Sequence, residues 1–220
     1  MISCTLTQVA KSALIYNSIP SQLASNKRRF VISNATHKKK TTKDAELFYE
    51  LVNSKTVLPC FNVTDPSQSL SQTRDLDNFK LYLCDTGLFV TLMFNDSERN
   101  NEDIYAKLLR DKLSANLGYL YENAVAQTLT SLGYSLYYHT WNKENSTHYY
   151  EIDFLLRKYN KIIPIEVKSG NINKHQSIDE FCKKYSNHVN ERYLMSQHDI
   201  AHDEMLKIMP IYLASILFEN

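Results

Sequence analysis

Apolar residues recur at every third or fourth position in the first fifty residues, and this spacing predicts short helices. The first helix is indicated by four such residues, Leu6, Val9, Ala13 and Tyr16. A second starts where Pro20 occupies a first helical turn, and a third is indicated by Ala45, Phe48, Leu51 and Val52. A β-rich segment follows at 56–63. Helices followed by short strands are typical of a winged helix, in which one helix can enter a DNA groove. A small helical packing domain explains the pattern equally well.

The most regular helical pattern lies later in the chain, at 117–132. Its apolar side chains form a continuous stripe with a period of 3.6 residues, which ends at Gly133. Strand patterns follow at 134–141, 150–156 and 161–168, then a helix around Ile178 and Phe181 and a closing strand at 208–213. Helix, three strands, helix and strand predict an α/β layer arrangement.

Turn-forming residues between two apolar stretches predict a domain boundary at 65–69. A chain of 220 residues has room for one or two compact units, and we predict two. The first is a winged-helix-like domain at residues 1–70. The second is the α/β domain at residues 71–220.

The composition is that of an ordinary globular protein, with 43% hydrophobic and 22% charged residues. Lys and Arg number 25 against 24 Asp and Glu, so no global field draws the chain onto nucleic acid. Nucleic-acid binding must therefore come from a local patch. The candidate is the run Lys38, Lys39 and Lys40, which in a wing would contact phosphates and elsewhere would be a solvated run.

Several classes of site are absent from the sequence. Neither GxxxxGK[ST] nor GxGxxG occurs, so the chain has no phosphate-binding loop with which to hydrolyse ATP. The four cysteines form no CxxC pair and suit buried thiols in a reducing compartment. His198 and His202 have the i, i+4 spacing of a helical metal pair, but no third ligand is indicated and we expect surface residues. No secretion signal or membrane-length apolar run is found, so we expect a soluble, cytoplasmic protein.

Strand alternation brings charged residues onto one face. Side chains alternate along a strand, so Asp153 shares a face with Glu151 and Leu155, and Glu166 shares a face with Lys168. We expect Glu151 to face solvent at the start of its strand. Glu122 lies at the edge of the apolar stripe of the preceding helix.

A hairpin that turns at Tyr159-Asn160 would bring these two faces together. Its register gives one apolar face made of three cross-strand pairs, Ile152 with Val167, Phe154 with Ile165, and Leu156 with Ile163. The same register sets Asp153 opposite Glu166, at a Cβ separation of roughly 4.5 to 5.5 Å. Carboxylates so close repel unless a cation, a raised pKa or a neighbouring ammonium relieves them.

This cluster is suited to metal-assisted phosphoryl chemistry. Carboxylate oxygens of Asp153 and Glu166 suit Mg²⁺ or Mn²⁺, which retain waters and accept phosphate oxygens. Lys168 would orient a water or stabilise charge in the transition state, and Glu122 would assist through a water or a second cation. A solvated ion pair worth at most ~1 kcal/mol explains the same triad without any metal. Trp141 and the tyrosines are interpreted as core or rim residues.

Three motifs in order resemble a known family: GYLYEN at 118–123, EIDF at 151–154 and IPIEVKSG at 163–170. They are similar to the C-terminal domain of unknown function attached to many prokaryotic AAA-type ATPases. The segment 79–88 looks like the entry segment of that domain and 209–212 like its closing strand, and 18–23 is similar to the winged helix that precedes it. The resemblance thus extends over most of the chain.

The resemblance implies a restriction-endonuclease-like, PD-(D/E)XK mixed sheet flanked by helices. In that family a helix glutamate, a strand aspartate and an E-x-K strand form the site, which here are Glu122, Asp153, Glu166 and Lys168. Ile152 replaces the proline that names the superfamily. The ATPase module is missing from this sequence, so the chain looks like the C-terminal part of a larger protein.

These observations lead to one leading hypothesis and two alternatives. The leading hypothesis is a metal-dependent, nuclease-like module that processes nucleic acid, with DNA as the expected partner, beside an AAA-type ATPase. The first alternative is an inactive nuclease fold that docks DNA or protein for the ATPase. The second is a specificity element that recognises protein. Whether the chain is an enzyme is left open by the sequence.

Overall fold

The computed structural model describes residues 6–25, 29–36, 42–94 and 118–219. The chain forms a mixed α/β structure with helices and two mixed sheets, which confirms the predicted α/β class. The Lys38, Lys39 and Lys40 run lies outside the described residues.

Four helices open the chain, α1 (Leu6–Asn17), α2 (Ile19–Leu23), α3 (Ile32–Thr36) and α4 (Thr42–Asn53). The predicted α2 begins with Pro20 in its first turn, where the missing N–H of proline costs nothing. Helix α1 contacts α4, and the ammonium of Lys11 lies 2.9 Å from the buried carboxylate of Asp44. Apolar side chains such as Ile15 and Leu47 are buried beneath these helices.

The first sheet contains β1 (Val57–Val63), β2 (Arg74–Leu83), β3 (Leu136–Asn142) and β4 (Tyr149–Ile152), in the order β2-β1-β3-β4. Strands β1 and β2 are antiparallel, β1 and β3 are parallel, and β3 and β4 are antiparallel. The β-rich segment of the predicted first domain is therefore paired with strands of the second. The boundary at residue 70, between β1 and β2, stays a prediction.

The second sheet contains β5 (Phe154–Lys158), β6 (Lys161–Val167), β7 (Arg192–Ser196), β8 (Ala201–Asp203) and β9 (Leu206–Pro210), in the order β5-β6-β7-β9-β8. Strands β6, β7 and β9 are parallel, and the two edge strands are antiparallel to their neighbours. The remaining helices are α5 (Thr86–Met93), α6 (Gly118–Ser131), α7 (Gln176–Lys184) and α8 (Ala214–Leu217). The predicted closing strand ends at Pro210 and continues as a 3₁₀ turn at Ile211–Leu213.

The predicted β5–β6 hairpin is confirmed in its register. Phe154 pairs with Ile165 and Leu156 with Ile163, and the turn falls at 159–160, where Tyr159 has a positive φ of 55°. Two-residue hairpin turns favour positive φ because their twist then matches that of the strands.

The single strand predicted at 150–156 is wrong, because the chain breaks at Asp153. Ile152 ends β4 and pairs with His139 of β3, so the predicted pair of Ile152 with Val167 does not form. The break moves the chain from one sheet to the other. Asp153 is therefore not a member of the β5–β6 ladder, although it is adjacent to it.

The break also changes which side chains share a face. Ile152 and Leu155 pack in one core cluster with Phe181 of α7, whereas Phe154 packs in the other with Leu129 of α6. Both faces of the β5–β6 hairpin are buried, because a helix covers each side. The predicted polar face containing Leu155 is thus wrong, and its charged residues gather only at the end of the hairpin.

Candidate active site

The position of Asp153 follows from the break between β4 and β5. Its Oδ2 accepts a hydrogen bond of 2.8 Å from the backbone N–H of Val167, at the end of β6. The side chain is buried. A carboxylate that satisfies a strand-end N–H replaces the ladder bond that the break removes.

Glu166 and Lys168 come from the end of β6 and the residue just beyond it. Nζ of Lys168 lies 2.5 Å from Oε1 of Glu166, and 30% of the Lys168 side-chain surface is exposed. The backbone N–H of Lys168 donates to the carbonyl of Met195, which fixes the direction of the chain. Lys168 therefore reaches from solvent to a buried carboxylate.

The second oxygen of Glu166, Oε2, is buried and makes no hydrogen bond within the described residues, while the backbone N–H of Ile178 in α7 lies near the carboxylate. Burial raises the pKa of this carboxyl, while the nearby Lys168 and the N–H of Ile178 oppose the shift. A buried carboxylate oxygen without a donor is costly unless another group, such as a cation, meets it.

Glu122 is held by α6 and by β2. Its Oε2 accepts a hydrogen bond of 3.0 Å from the hydroxyl of Tyr82 and lies 3.3 Å from Nζ of Lys80. The next residue, Asn123, bonds both the N–H and the carbonyl of Leu83. These two hydrogen bonds fix α6 on β2 and so determine where Glu122 points.

Lys80 is fully buried in the centre of the acidic cluster. Its Nζ lies 2.8 Å from Oε1 of Glu151, 3.3 Å from Glu122 and 3.7 Å from Oδ1 of Asp153. Burial by itself would lower the pKa of Lys80, but these carboxylates and Tyr82 together raise it well above its ordinary value. The ammonium is therefore the counter-ion of three carboxylates.

The contacts of Lys80 correct one expectation from the sequence and add one residue to the site. Glu151 was expected to face solvent, but only 13% of its side-chain surface is exposed, because it is drawn to this ammonium. Lys80 itself was missed as a site residue. The available signal was a lysine in the middle of the apolar strand pattern at 79–83, where a buried charge needs partners.

One cavity of about 610 Å³ joins these groups. Its lining includes all four residues predicted as catalytic and also Glu151. The cavity therefore brings together Glu122 of α6, Asp153 of the β4–β5 break, and Glu166 and Lys168 at the end of β6. The cavity wall is rich in carboxylates, partly balanced by Lys80 behind them and Lys168 at the edge.

The carboxylate oxygens of the cavity can supply part of the coordination shell of a hard divalent cation. Among the described residues, no group of three or more His, Cys, Asp or Glu side chains is arranged to hold a metal. Mg²⁺, however, is commonly bound by only one or two carboxylates, with waters and substrate phosphate completing the shell. Asp153 and Glu166 offer that number, and Oε2 of Glu166 needs a partner.

Two other places do not look like the site. His198 and His202 are exposed, on a loop and on β8, as expected for surface residues. A second cavity of about 560 Å³ lies beside α7, β7 and β8. Its Asp179 is 2.7 Å from His175 and forms an ion pair with Arg192 at 3.0 Å.

A family model described as a domain of unknown function (DUF4143) matches residues 117–214. The match contains α6, β3 to β9 and the catalytic candidates, and it agrees with the predicted C-terminal domain of unknown function. No curated protein matches the sequence. No helix within the described residues has the length and apolar character needed to cross a membrane.

A solved structure with similarity to this chain is protein VC1899 from Vibrio cholerae. The two are 10% identical, and the TM-score is 0.30 over 96% of this chain and 50% of that chain. This chain therefore spans half the length of VC1899.

Proposed function

We propose that this chain carries a PD-(D/E)XK nuclease-like site that cleaves phosphodiester bonds of nucleic acid with Mg²⁺ or Mn²⁺. The observation that supports it is the meeting of Asp153, Glu166 and Lys168 at one cavity, where Oε2 of Glu166 is buried without a donor among the described residues. The order of the helix glutamate Glu122, then Asp153, then the E-x-K segment at 166–168 is the order that the family resemblance implies. A winged helix formed by the first four helices and β1 belongs to the same proposal.

Asp153 and Glu166 would hold the cation. The N–H of Val167 holds Oδ2 of Asp153, and Oδ1 lies 3.7 Å from the ammonium of Lys80. When bound, the divalent cation supplies charge that polarises a phosphoryl oxygen and lowers the pKa of a water. The chain itself supplies orientation, because both carboxylates are buried and held by backbone geometry.

Lys168 is the group that can touch substrate. Its side chain is partly exposed while its ammonium contacts Glu166, so it can donate to a phosphate oxygen without leaving the site. Donation there stabilises the negative charge that develops in the transition state. Glu122 is a positioning residue, held by Tyr82 and Lys80 at the rear of the cavity.

An inactive docking module is the second candidate, and Lys80 favours it. The Lys80 ammonium already pairs with Glu122, Glu151 and Asp153, so the cluster has a resident positive charge without any added cation. In that case the nuclease fold would hold DNA or protein for an ATPase. The AAA-type ATPase, DNA as the partner, and phosphate contacts by Lys38, Lys39 and Lys40 are proposals that rest on the resemblance and on composition.

Cleavage assays test the proposal. End-labelled single- and double-stranded DNA and RNA are incubated with the chain and Mg²⁺, Mn²⁺ or EDTA. We expect metal-dependent cleavage that is lost in Asp153→Asn and Lys168→Ala. The matched control is Lys161→Ala, at the opposite end of β6, which should retain activity. If the wild type cleaves none of these substrates with either cation, the docking module is the better account.

A further inference from the structure

Lysines lie over aromatic rings on the surface beside the carboxylate cavity. Nζ of Lys143 is 4.4 Å from the centre of the Tyr150 ring, and Nζ of Lys184 is 5.8 Å from the centre of the Trp141 ring. The two rings face each other across β3 and β4, with centres 5.2 Å apart. We name Trp141, Lys143, Tyr149, Tyr150 and Lys184 the β3–β4 rim.

The β3–β4 rim is continuous with the carboxylate cavity. Tyr149, whose surface is 42% exposed, lines both that cavity and a smaller one of about 330 Å³ that contains Trp141. On the other side, Glu166 and Lys168 line a cavity of about 570 Å³ together with Lys143. A ligand lying on the rim would therefore reach the carboxylates without crossing a barrier of side chains.

The charge of the rim is available to a ligand. Lys183, beside the rim, is paired with Glu180 at 2.7 Å. Within the part of the chain that the structure describes, neither Lys143 nor Lys184 has a carboxylate within 4.0 Å. Their ammonium groups rest on rings instead, and such contacts leave donors free to meet phosphate oxygens.

We propose that the β3–β4 rim binds single-stranded nucleic acid and leads it to the cavity. This inference rests on the proposed function and names the substrate class of that site. An unpaired base can stack on Tyr149, the exposed ring of the rim, while Lys143 and Lys184, whose ammonium groups lie over Tyr150 and Trp141, contact phosphates. Duplex bases stack on each other and cannot use this ring. The net charge of only +1 makes such a local patch necessary.

Trp141 is the only tryptophan in the chain, so its fluorescence reports directly on this surface. Oligo(dT) and oligo(rU) are titrated into the protein in EDTA, where no cleavage is needed. We expect saturable quenching by both, and anisotropy of labelled oligonucleotides should give the same dissociation constant. A duplex of equal length and polyglutamate should bind at least tenfold more weakly.

The decisive variant is Lys143→Ala with Lys184→Ala. Affinity for the single strand should fall, and the slope of log K against log salt should flatten by about 1.4, since each phosphate contact to a single strand contributes about 0.7. The matched control is Lys158→Ala with Lys161→Ala, which removes the same charge at the β5–β6 turn, far along β5 from Asp153. The control should keep both affinity and slope.

An unchanged salt slope in the rim variant would overturn this inference, as would equal binding of duplex or polyglutamate. The outcome is separable from that of the proposed function. Binding without any cleavage, retained in Asp153→Asn, would support the rim and count against the nuclease. Metal-dependent cleavage, together with single-strand binding that is unchanged in the rim variant, would support the nuclease and count against the rim.

Discussion

The carboxylate of Asp153 accepts a hydrogen bond of 2.8 Å from the backbone N–H of Val167, and this bond joins the β4–β5 break to the end of β6. It fixes one carboxylate oxygen, while the other lies 3.7 Å from the ammonium of Lys80, and Asp153 as a residue lines the cavity. Asp153 thus joins two strands through this hydrogen bond and is also a proposed metal ligand.

Asp153→Asn should keep the hydrogen bond from the N–H of Val167, whereas Asp153→Ala should lose it. The side-chain oxygen of Asn can still accept from Val167, but Asp153→Ala leaves a buried N–H without an acceptor, at a cost of about 1–3 kcal/mol. The free energy of unfolding, measured in urea, should therefore fall clearly more for Asp153→Ala than for Asp153→Asn. Equal losses in both variants would mean that the bond to Val167 contributes nothing.

Lys80→Met should be among the most destabilising single changes in the chain. It leaves Glu122, Glu151 and Asp153 without their shared buried ammonium, and breaking a buried ion pair in this way costs about 3–5 kcal/mol. Adding Glu122→Gln and Glu151→Gln should recover much of the loss. The control Lys161→Met, at the start of β6, should change stability by about 0.5 kcal/mol or less. A loss for Lys80→Met no larger than that of the control would contradict the central position of Lys80.

Leu155→Ala tests the change of face at the β4–β5 break. Alternation along one uninterrupted strand would place this side chain beside Asp153 on a polar face, whereas the structure buries it completely against α7. Truncation of a buried leucine costs about 2–5 kcal/mol. The control is Leu88→Ala, at an exposed position of α5. Similar small effects for both would favour the uninterrupted strand.

The hairpin and the main helix were predictable because their determinants are local. Alternation and the turn at 159–160 give the β5–β6 register, and the apolar stripe gives α6 within one residue at each end. Glu122, Asp153, Glu166 and Lys168 could be gathered from these elements and the family motifs together. The fold nevertheless places Asp153 at the β4–β5 break and fixes α6 on β2, which these local patterns do not show.

The break at Asp153 and the role of Lys80 were not predictable in the same way. Strand alternation continues across 150–156, and only pairing with β3, an element before it in the chain, shows that Ile152 belongs to another sheet. Lys80 is separated from Glu122 and Glu151 by long stretches of sequence. Its partners are set by the parallel pairing of β1 with β3, which no local pattern indicates.

Stability should decrease as the pH falls below about 6.5, through His139. This buried ring is bonded to the carbonyl of Val63, and burial lowers its pKa below the ordinary value near 6.5. Because the folded pKa is the lower one, the unfolded chain binds the proton first, so this contribution is complete above 6.5 and is lost below it.

The comparison of wild type with His139→Gln isolates that contribution of His139. Unfolding free energies are measured in urea at about pH 7.5, 6.5 and 5.5, a window centred on the ordinary histidine pKa. The wild type should lose more stability than the variant between the two lower values. Trp141, whose ring stacks on His139 with centres 5.3 Å apart, provides the fluorescence signal. Parallel curves for the two proteins would show that His139 does not titrate on unfolding.

Calorimetric titration of the metal-free chain with Mn²⁺ tests the central claim most directly, because it detects cation binding in the absence of a substrate. The account predicts saturable binding to the wild type and to the control Lys161→Ala. It predicts that binding is abolished in Asp153→Asn and in Glu166→Gln, each of which removes one of the two proposed ligands while far-ultraviolet circular dichroism stays unchanged. No heat of binding in the wild type, or equal binding in the two ligand variants, would contradict the proposed metal site.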